Sequence, residues 1–383
     1  MTTMTFDAVN EATAGPKWHA RWQRSWPSYE AWFIASGGDR GPDRKACRAA
    51  MQCHMPELIP VYDRLVAITG DTDRAAQFLS TWCPPTYLGG CSLAALADDT
   101  GVRLLRNYDL APDLNEGLLL RSEWTRPVMG MVEFLWGLSD GINDAGLSVA
   151  LAYGGRSETG EGFGITTILR YVLETCDTVD DALAALRRVP SHMAYNLVLA
   201  DRAGHTASVE ILPGGGVRVM PQAVATNHQS GAARPDGASF TRTYERHAHL
   251  TRLDTQAVDL HVEFTSDSLH QDRYGEGFGT LFTAEYDPEA CTMRLIWPFE
   301  QWHQSLDSFD EGSRLIDFAA AQPGGQAVPV AGPDTPDWAM AAFVDWRAVA
   351  RDFAAGQGRS IDSYLPTSAP QHSASWQGYL GNA

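Results

Sequence analysis

The chain is short of positive charge. Its 383 residues carry 29 Lys and Arg against 47 Asp and Glu, a formal net charge of -18. Binding a phosphate backbone needs clustered Lys and Arg, so nucleic acid is excluded as a partner. Docking on an anionic membrane is disfavoured on the same ground. Cysteine is scarce too. Cys47, Cys53, Cys83, Cys91, Cys176 and Cys291 are scattered along the chain, unlike the dense framework of a disulfide-stapled domain. Cys47, Cys53 and His54 stand close together, but structural zinc takes four ligands and no second pair follows at zinc-type spacing. That segment reads as an amphipathic helix, and neither a metal nor a resident cofactor is expected. No stretch reaches the roughly 18 apolar residues of a membrane span. The opening MTTMTFDAVNEATAGPKWHARW lacks an apolar core of signal-peptide length. The expectation is a soluble, cytoplasmic protein. There is no phosphate-binding loop and no internal repeat.

What the chain does have is enough apolar residue, 44%, for a large core. Residues 1–90 read as a helical leader. HARWQRSWPSYEAWFI is rich in aromatics, and DRKACRAAMQCHMPELIPVYDRLVAI has apolar residues at helical spacing with a break at Pro56 and Pro60. From residue 91 the texture changes to strands. CSLAALAD and VRLLRNYD, YNLVLAD and HTASVEIL, and TLFTAEYD and CTMRLIWP are paired runs joined by short turns, which is hairpin chemistry. Two helices interrupt them, one at about 163–175 and one in TVDDALAALRRV, where Thr178 caps an acidic first turn. Hairpins imply antiparallel sheets, and helices set between groups of strands imply an α+β fold. This core is expected over 91–321, followed by a Pro/Gly linker at 322–337 and a helix with a loose tail over 338–383.

The most informative stretch is YLGGCSLAALADDTGVRLLRNYDL. Strand, turn and strand fold Arg106 and Asp109 back towards Cys91, so a thiol has a cation and a carboxylate nearby and a Gly90–Cys91 bond just ahead of it. Only a few per cent of an ordinary thiol is thiolate at neutral pH. A freed α-amine, with a pKa of about 7.7–8, can serve as base for its own side chain. Gly90 leaves its carbonyl unshielded and tolerates the backbone strain of an N-to-S acyl shift. Arg106 would favour thiolate, and Asp109 could hold the new ammonium. The two are three residues apart, so a flat strand points them to opposite faces, and a bulge at Asn107-Tyr108 is needed to bring them together. Oxyanion donors are expected from the backbone N–H of Asn143, in SDGINDAGLSVAL, and the side chain of Asn227, in VATNHQ.

Together these motifs resemble the acyl-coenzyme A:6-aminopenicillanic acid acyltransferase-like family of autoproteolytic cysteine enzymes and, more distantly, choloylglycine hydrolases and penicillin V acylase. The resemblance runs from about Gly89 to Pro298. It implies a four-layer αββα N-terminal-nucleophile hydrolase sandwich of two antiparallel sheets between helical layers. It also implies self-cleavage at Gly90–Cys91 into an α chain, 1–90, and a β chain, 91–383, that stay associated. The later segment SFTRTYERHAHL resembles the family's Ser-x-x-Arg element, which points to Arg242, with Arg246 as the second choice. The implied function is hydrolysis or transfer of an acyl group at a small-molecule amide, or a thioester, through an acyl-Cys91 intermediate. The partners would be an acyl donor, with acyl-coenzyme A possible as one, and an amine acceptor or water. Two other readings stay open: an uncut, non-catalytic homologue that binds an acylated metabolite or a partner protein, and a cysteine enzyme with His228 as base and no self-cleavage.

Overall fold

The computed structural model describes residues 3–87, 90–231, 235, 237–253 and 259–319, and the isolated positions 348, 349, 351, 352, 355 and 364. The linker expected at 322–337, and the helix and tail expected at 338–383 apart from those positions, lie outside the described residues. The strands are β1 (Thr3–Asn10), β2 (Gly90–Asp98), β3 (Gly101–Leu110), β4 (Leu118–Glu123), β5 (Pro127–Glu133), β6 (Gly137–Asn143), β7 (Ser148–Tyr153), β8 (Tyr195–Ala200), β9 (Thr206–Ile211), β10 (Val217–Met220), β11 (Val224–Ala225), β12 (Asp272–Arg273), β13 (Phe278–Asp287), β14 (Thr292–Trp297), β15 (Glu300–Ser305) and β16 (Gly312–Asp317). The helices are α1 (Pro16–Ala35), α2 (Arg44–His54), α3 (Ile59–Ile68), α4 (Asp73–Ser80), α5 (Ile165–Thr175), α6 (Val179–Arg188), α7 (Ala238–Thr241), α8 (Thr243–Leu253) and α9 (Leu260–Phe264).

The strands form two sheets. The larger runs β10-β9-β8-β7-β6-β5-β4-β1-β16; the smaller runs β11-β2-β3-β13-β14-β15, with β12 beside β13. Their inner faces share one core, to which Phe6, Leu93, Leu104, Met129, Ile142, Val198, Phe282 and Trp297 belong. Helices α1–α6 pack on the outer face of the larger sheet through residues such as Trp22, Leu79, Trp136, Ile168 and Leu197. Helices α8 and α9 cover Ala94 and Leu105 on the outer face of the smaller one with Leu250, Leu253 and Phe264. This is the four-layer α+β sandwich.

Local chemistry explains the helices. Thr178 and Asp181 form a reciprocal capping box at the start of α6, whose last turn carries Arg187 and Arg188. Asp43 accepts from the Ala46 N–H at the start of α2, and Thr72 from the Ala75 N–H at the start of α4. In α1, Trp18, Trp22 and Trp26 recur every four residues, so they share one face and stack in sequence.

The leader differs from its helical reading by one strand. In β1, Met4, Phe6 and Ala8 alternate with polar residues and face the core between the sheets. The strand lies inside the larger sheet, antiparallel to β16 and parallel to β4. Among the described residues every other strand pairing is antiparallel. The parallel pair arises because β1 reaches its partner through the whole helical leader and the first hairpin, not through a turn. The leader and the strand-rich region therefore share a layer, and residue 91 is no boundary in space.

Candidate active site

The β2–β3 hairpin turns at Asp99-Thr100, with Asp98 opposite Gly101. Counting back from that turn sets Leu93 opposite Arg106, Cys91 opposite Tyr108 and Gly90 opposite Asp109. Alternation then divides the side chains between two faces. Cys91, Leu93, Arg106 and Tyr108 point between the sheets. Ser92, Ala94, Asn107 and Asp109 point towards α8 and α9.

On the inner face, Arg106 Nη2 donates to Cys91 Sγ at 3.3 Å. Its Nη1 donates to Ser139 Oγ at 2.8 Å and to Asp140 Oδ2 at 2.5 Å. The guanidinium lies 4.0 Å above the Tyr108 ring, and the Tyr286 hydroxyl donates to the other Asp140 oxygen at 2.5 Å. Burial opposes the Arg106 charge, but Cys91 and Asp140 outweigh it and hold its pKa above the ordinary value. Cys91 is only 1% exposed. Burial pushes its thiol up to about 11, although Arg106 pulls the other way. The cation is therefore in place beside the sulfur, yet in the intact chain the thiol stays protonated.

On the outer face, Arg246 organises the backbone that carries the cysteine. Its Nη1 donates to Cys91 O at 2.7 Å, Ser92 Oγ at 2.8 Å and Asp109 Oδ2 at 3.3 Å. Its Nη2 donates to Asn227 Oδ1 at 2.7 Å, and its Nε to Thr241 O at 2.8 Å. Asn227 Oδ1 also accepts the Cys91 N–H at 3.0 Å, while Asn227 Nδ2 donates to Tyr153 O at 3.1 Å. Asp109 takes a second bond from Thr280 Oγ1 at 2.7 Å. Its carboxyl is raised by burial, which the facing Arg246 only partly offsets. Arg106, Asp109, Asn227 and Arg246 are all essentially inaccessible.

Two glycines permit these approaches. A Cβ on Gly90 would lie 2.2 Å from the Phe278 ring, and one on Gly155, where φ is +72°, would lie 2.4 Å from Asn227 O. The Asn227 segment closes on the end of β7 because Gly155 has no side chain.

Cys91, Arg106, Asp109 and Asn227 thus meet around one peptide unit, and four expectations are corrected. The further arginine is Arg246, not Arg242. Arg242 sits between α7 and α8 with φ +53°, which turns its exposed side chain away from the path of the helix. No bulge occurs at Asn107-Tyr108. The β2–β3 register is unbroken, the irregularity lies in β13 between Thr280 and Phe282, and Asp109 stays on the face opposite the thiol. Asn143 is no oxyanion donor. Its N–H is bonded to Leu147 O, and its Nδ2 to Leu173 O and Cys176 O. It ends β6 at the hairpin into β7, whereas the far end of β7, at Tyr153, meets Asn227, one strand length or roughly 17–20 Å away. His228 is not paired with Cys91: its Nδ1 lies 2.9 Å from Thr243 Oγ1, and its ring packs on Tyr244 and His247. Burial takes its imidazole down to about 4. Asp140, Ser139 and Tyr286 were not anticipated. The available signal was a carboxylate inside GLSDGIN, a strand buried throughout.

A sandwich of this layering, two sheets between helical layers, is the fold of the N-terminal-nucleophile hydrolases. Residues 96–302, more than half of the chain, match the model of the family described as acyl-coenzyme A:6-aminopenicillanic acid acyl-transferase, and the chain belongs to that family. The chemistry that goes with it is hydrolysis or transfer at acyl amides. Among solved structures, a mutant of conjugated bile acid hydrolase from Clostridium perfringens is similar at 14% identity and TM-score 0.42, over 58% of this chain and 96% of that one. Penicillin V acylase from Agrobacterium tumefaciens is similar at 14% and 0.39, over 59% and 91%. The Caenorhabditis elegans N-acylethanolamine-hydrolyzing acid amidase ortholog is similar at 16% and 0.39, over 59% and 100%. No curated protein matches the sequence. Among the described residues no helix is long and apolar enough to cross a membrane.

Proposed function

We propose that the chain cuts its own Gly90–Cys91 bond and that the freed Cys91 then hydrolyses or transfers acyl groups at small-molecule amides. The observation that carries this reading is the Arg106 guanidinium 3.3 Å from Cys91 Sγ, with the Cys91 nitrogen held by Asn227. In self-cleavage Sγ attacks the Gly90 carbonyl carbon, the C–N bond breaks, and the Cys91 nitrogen takes the thiol proton. Water hydrolyses the resulting thioester, leaving the Gly90 carboxylate and a free Cys91 thiol and amine.

The new amine supplies the base that the buried thiol lacks. In turnover it takes the thiol proton as sulfur adds to the substrate carbonyl. That proton then goes to the leaving amine as the C–N bond breaks. Water returns an acid, or a second amine returns a new amide, and either restores the thiol. A thioester donor enters at the same carbon with a thiol leaving. Asn227 Nδ2, which donates to Tyr153 O in the uncut chain, would serve as oxyanion donor by turning from that carbonyl to the substrate's, and its loss is expected to cost about 100- to 1000-fold in rate. Arg106 stabilises thiolate, while Arg246 holds the Cys91 backbone and Asp109 holds Arg246, so that both are positioning residues.

Intact mass under denaturing conditions tests this. The expected result is two species of about 10 and 32 kDa from the 41.8 kDa chain, the larger beginning at Cys91, with Cys91→Ala staying whole and inactive. Amide turnover that survives in Cys91→Ala, or an active protein that is never cut, would overturn it. Assays with and without added amine separate transfer from hydrolysis.

A further inference from the structure

A small pocket lies beside the hairpin that carries the nucleophile, walled by Tyr29, Trp32, Tyr87, Tyr108 and Phe134. Tyr108 joins it to the site, since that residue pairs with Cys91 across the hairpin and carries Arg106 on its ring. Two carboxylates lie in its wall, Glu116 and Glu133. Glu116 is accounted for: it accepts from the Tyr29 hydroxyl at 2.5 Å and the Leu135 N–H at 2.9 Å, and it faces Arg21 at 3.9 Å. Glu133 is accounted for only in part. It is 8% exposed, and Tyr108 hydrogen-bonds to its carboxyl, but its Oε1 has no hydrogen-bond partner among the described residues. Arg106 gives Nη1 and Nη2 to Cys91, Ser139 and Asp140, and its charge offsets the burial of Glu133 only in part.

A buried carboxyl oxygen without a donor is costly, and a charged one far more so. Burial pushes the Glu133 carboxyl up to about 7 despite Arg106. A cation in the cavity would supply the missing donor and draw Glu133 into its charged form. Five aromatic walls add the ring faces that attract an ammonium. A neutral chain would leave Oε1 of Glu133 without a donor, and an anionic one would face the carboxylate with like charge. The cavity also lies on the acyl side of the reaction. Thr86 and Tyr87 line it, and the segment before the scissile bond is what forms the acyl part of the thioester during self-cleavage.

We propose that this cavity receives the acyl group of the substrate and that the acyl group ends in a protonated amine held by Glu133, so that the substrates are aminoacyl amides. The inference rests on the reading of Cys91 as the group that is acylated.

The test compares β-alanyl, γ-aminobutyryl and ε-aminocaproyl p-nitroanilides with their neutral isosteres, the butyryl, valeryl and heptanoyl p-nitroanilides. At least one aminoacyl compound is expected to exceed its isostere roughly 10- to 100-fold in kcat/KM, the range of a hydrogen bond to a charged group. Glu133→Gln, checked for folding by the completeness of self-cleavage, is expected to bring that ratio close to one. Equal or better turnover of the neutral series by the wild-type protein, or a preference that survives in Glu133→Gln, overturns this inference and leaves the acyl-enzyme reading standing. Turnover of neither series overturns both.

Discussion

Replacing Arg246 with Met tests the claim that one buried guanidinium holds the nucleophile's backbone. Methionine keeps most of the aliphatic stem and removes five hydrogen bonds, to Cys91 O, Ser92 Oγ, Asp109 Oδ2, Asn227 Oδ1 and Thr241 O. The largest consequence falls on Asp109, which is left fully buried with Thr280 as its remaining partner among the described residues. Removing one member of a buried ion pair costs about 3–5 kcal/mol, a large part of the roughly 5–15 kcal/mol that holds a domain folded. Asp109 is already raised by burial, and without Arg246 it rises further. A carboxyl raised in the folded state holds a proton that the unfolded state releases. Stability therefore falls as pH climbs from the ordinary aspartate value, near 3.9, through the raised one. Arg246→Met should lose more stability at about pH 8 than at about pH 5. The assay is urea unfolding in a Cys91→Ala background, where only one covalent species exists. Adding Asp109→Asn should recover a coupling of roughly 1–3 kcal/mol, because no charge is then stranded. A loss below about 1 kcal/mol, or no recovery with Asp109→Asn, would refute the argument.

Gly90→Ala drives a methyl towards Phe278 and should slow self-cleavage while costing about 1–3 kcal/mol; Phe278→Leu in the same chain should restore part of the rate, read by gel densitometry over time. Glu133, raised to about 7 by burial, should make stability fall as pH rises from the ordinary glutamate value, near 4.3, through 7. Glu133→Gln should flatten that slope in the uncut background, and an unchanged slope would mean that Glu133 is not the group titrating. Asn143→Ala should lower Tm, through loss of buried bonds worth about 1–3 kcal/mol, without lowering the kcat of the folded fraction. Asn227→Ala should lower Tm too, through its lost bonds to Cys91, Arg246 and Tyr153, but unlike Asn143→Ala it should also lower kcat in the folded fraction, with KM changing little.

Cys91, Arg106 and Asp109 are legible because a two-residue turn determines a hairpin's register, and counting back from Asp99-Thr100 needs no tertiary information. Asn227 is legible only by likeness, since the strand before it has just two residues. Arg242 and Arg246 are four apart, so a continuous helix would set both on one face and periodicity cannot choose between them. The choice is made by the left-handed backbone at Arg242, which no pattern announces. Asn143 misleads because a strand has two ends, and a turn rich in Asn, Asp and Gly looks equally suited to either. Strand β1 shows its alternation plainly, but its partners begin at Leu118 and Gly312, too far along the chain for any local signal. Glu133 closes β5, a strand that otherwise carries apolar residues and glycine into the core. The groups that act on it, Arg106 and Tyr108, stand on β3 in the other sheet, so no local pattern announces it.

The placement of β1 bears on what a cut chain could survive. With the bond ahead of Cys91 broken, the leader would be a separate polymer threaded between β4 and β16 and bonded to both. Once such a molecule came apart, reassembly would require two strangers to meet in solution, at a rate set by concentration instead of by the chain's own tether. Maturation would then work as a ratchet, with folding reversible before the cut and effectively single-use after it. The lifetime of the mature protein would be governed by how seldom that inner strand escapes, rather than by an equilibrium between folded and unfolded forms.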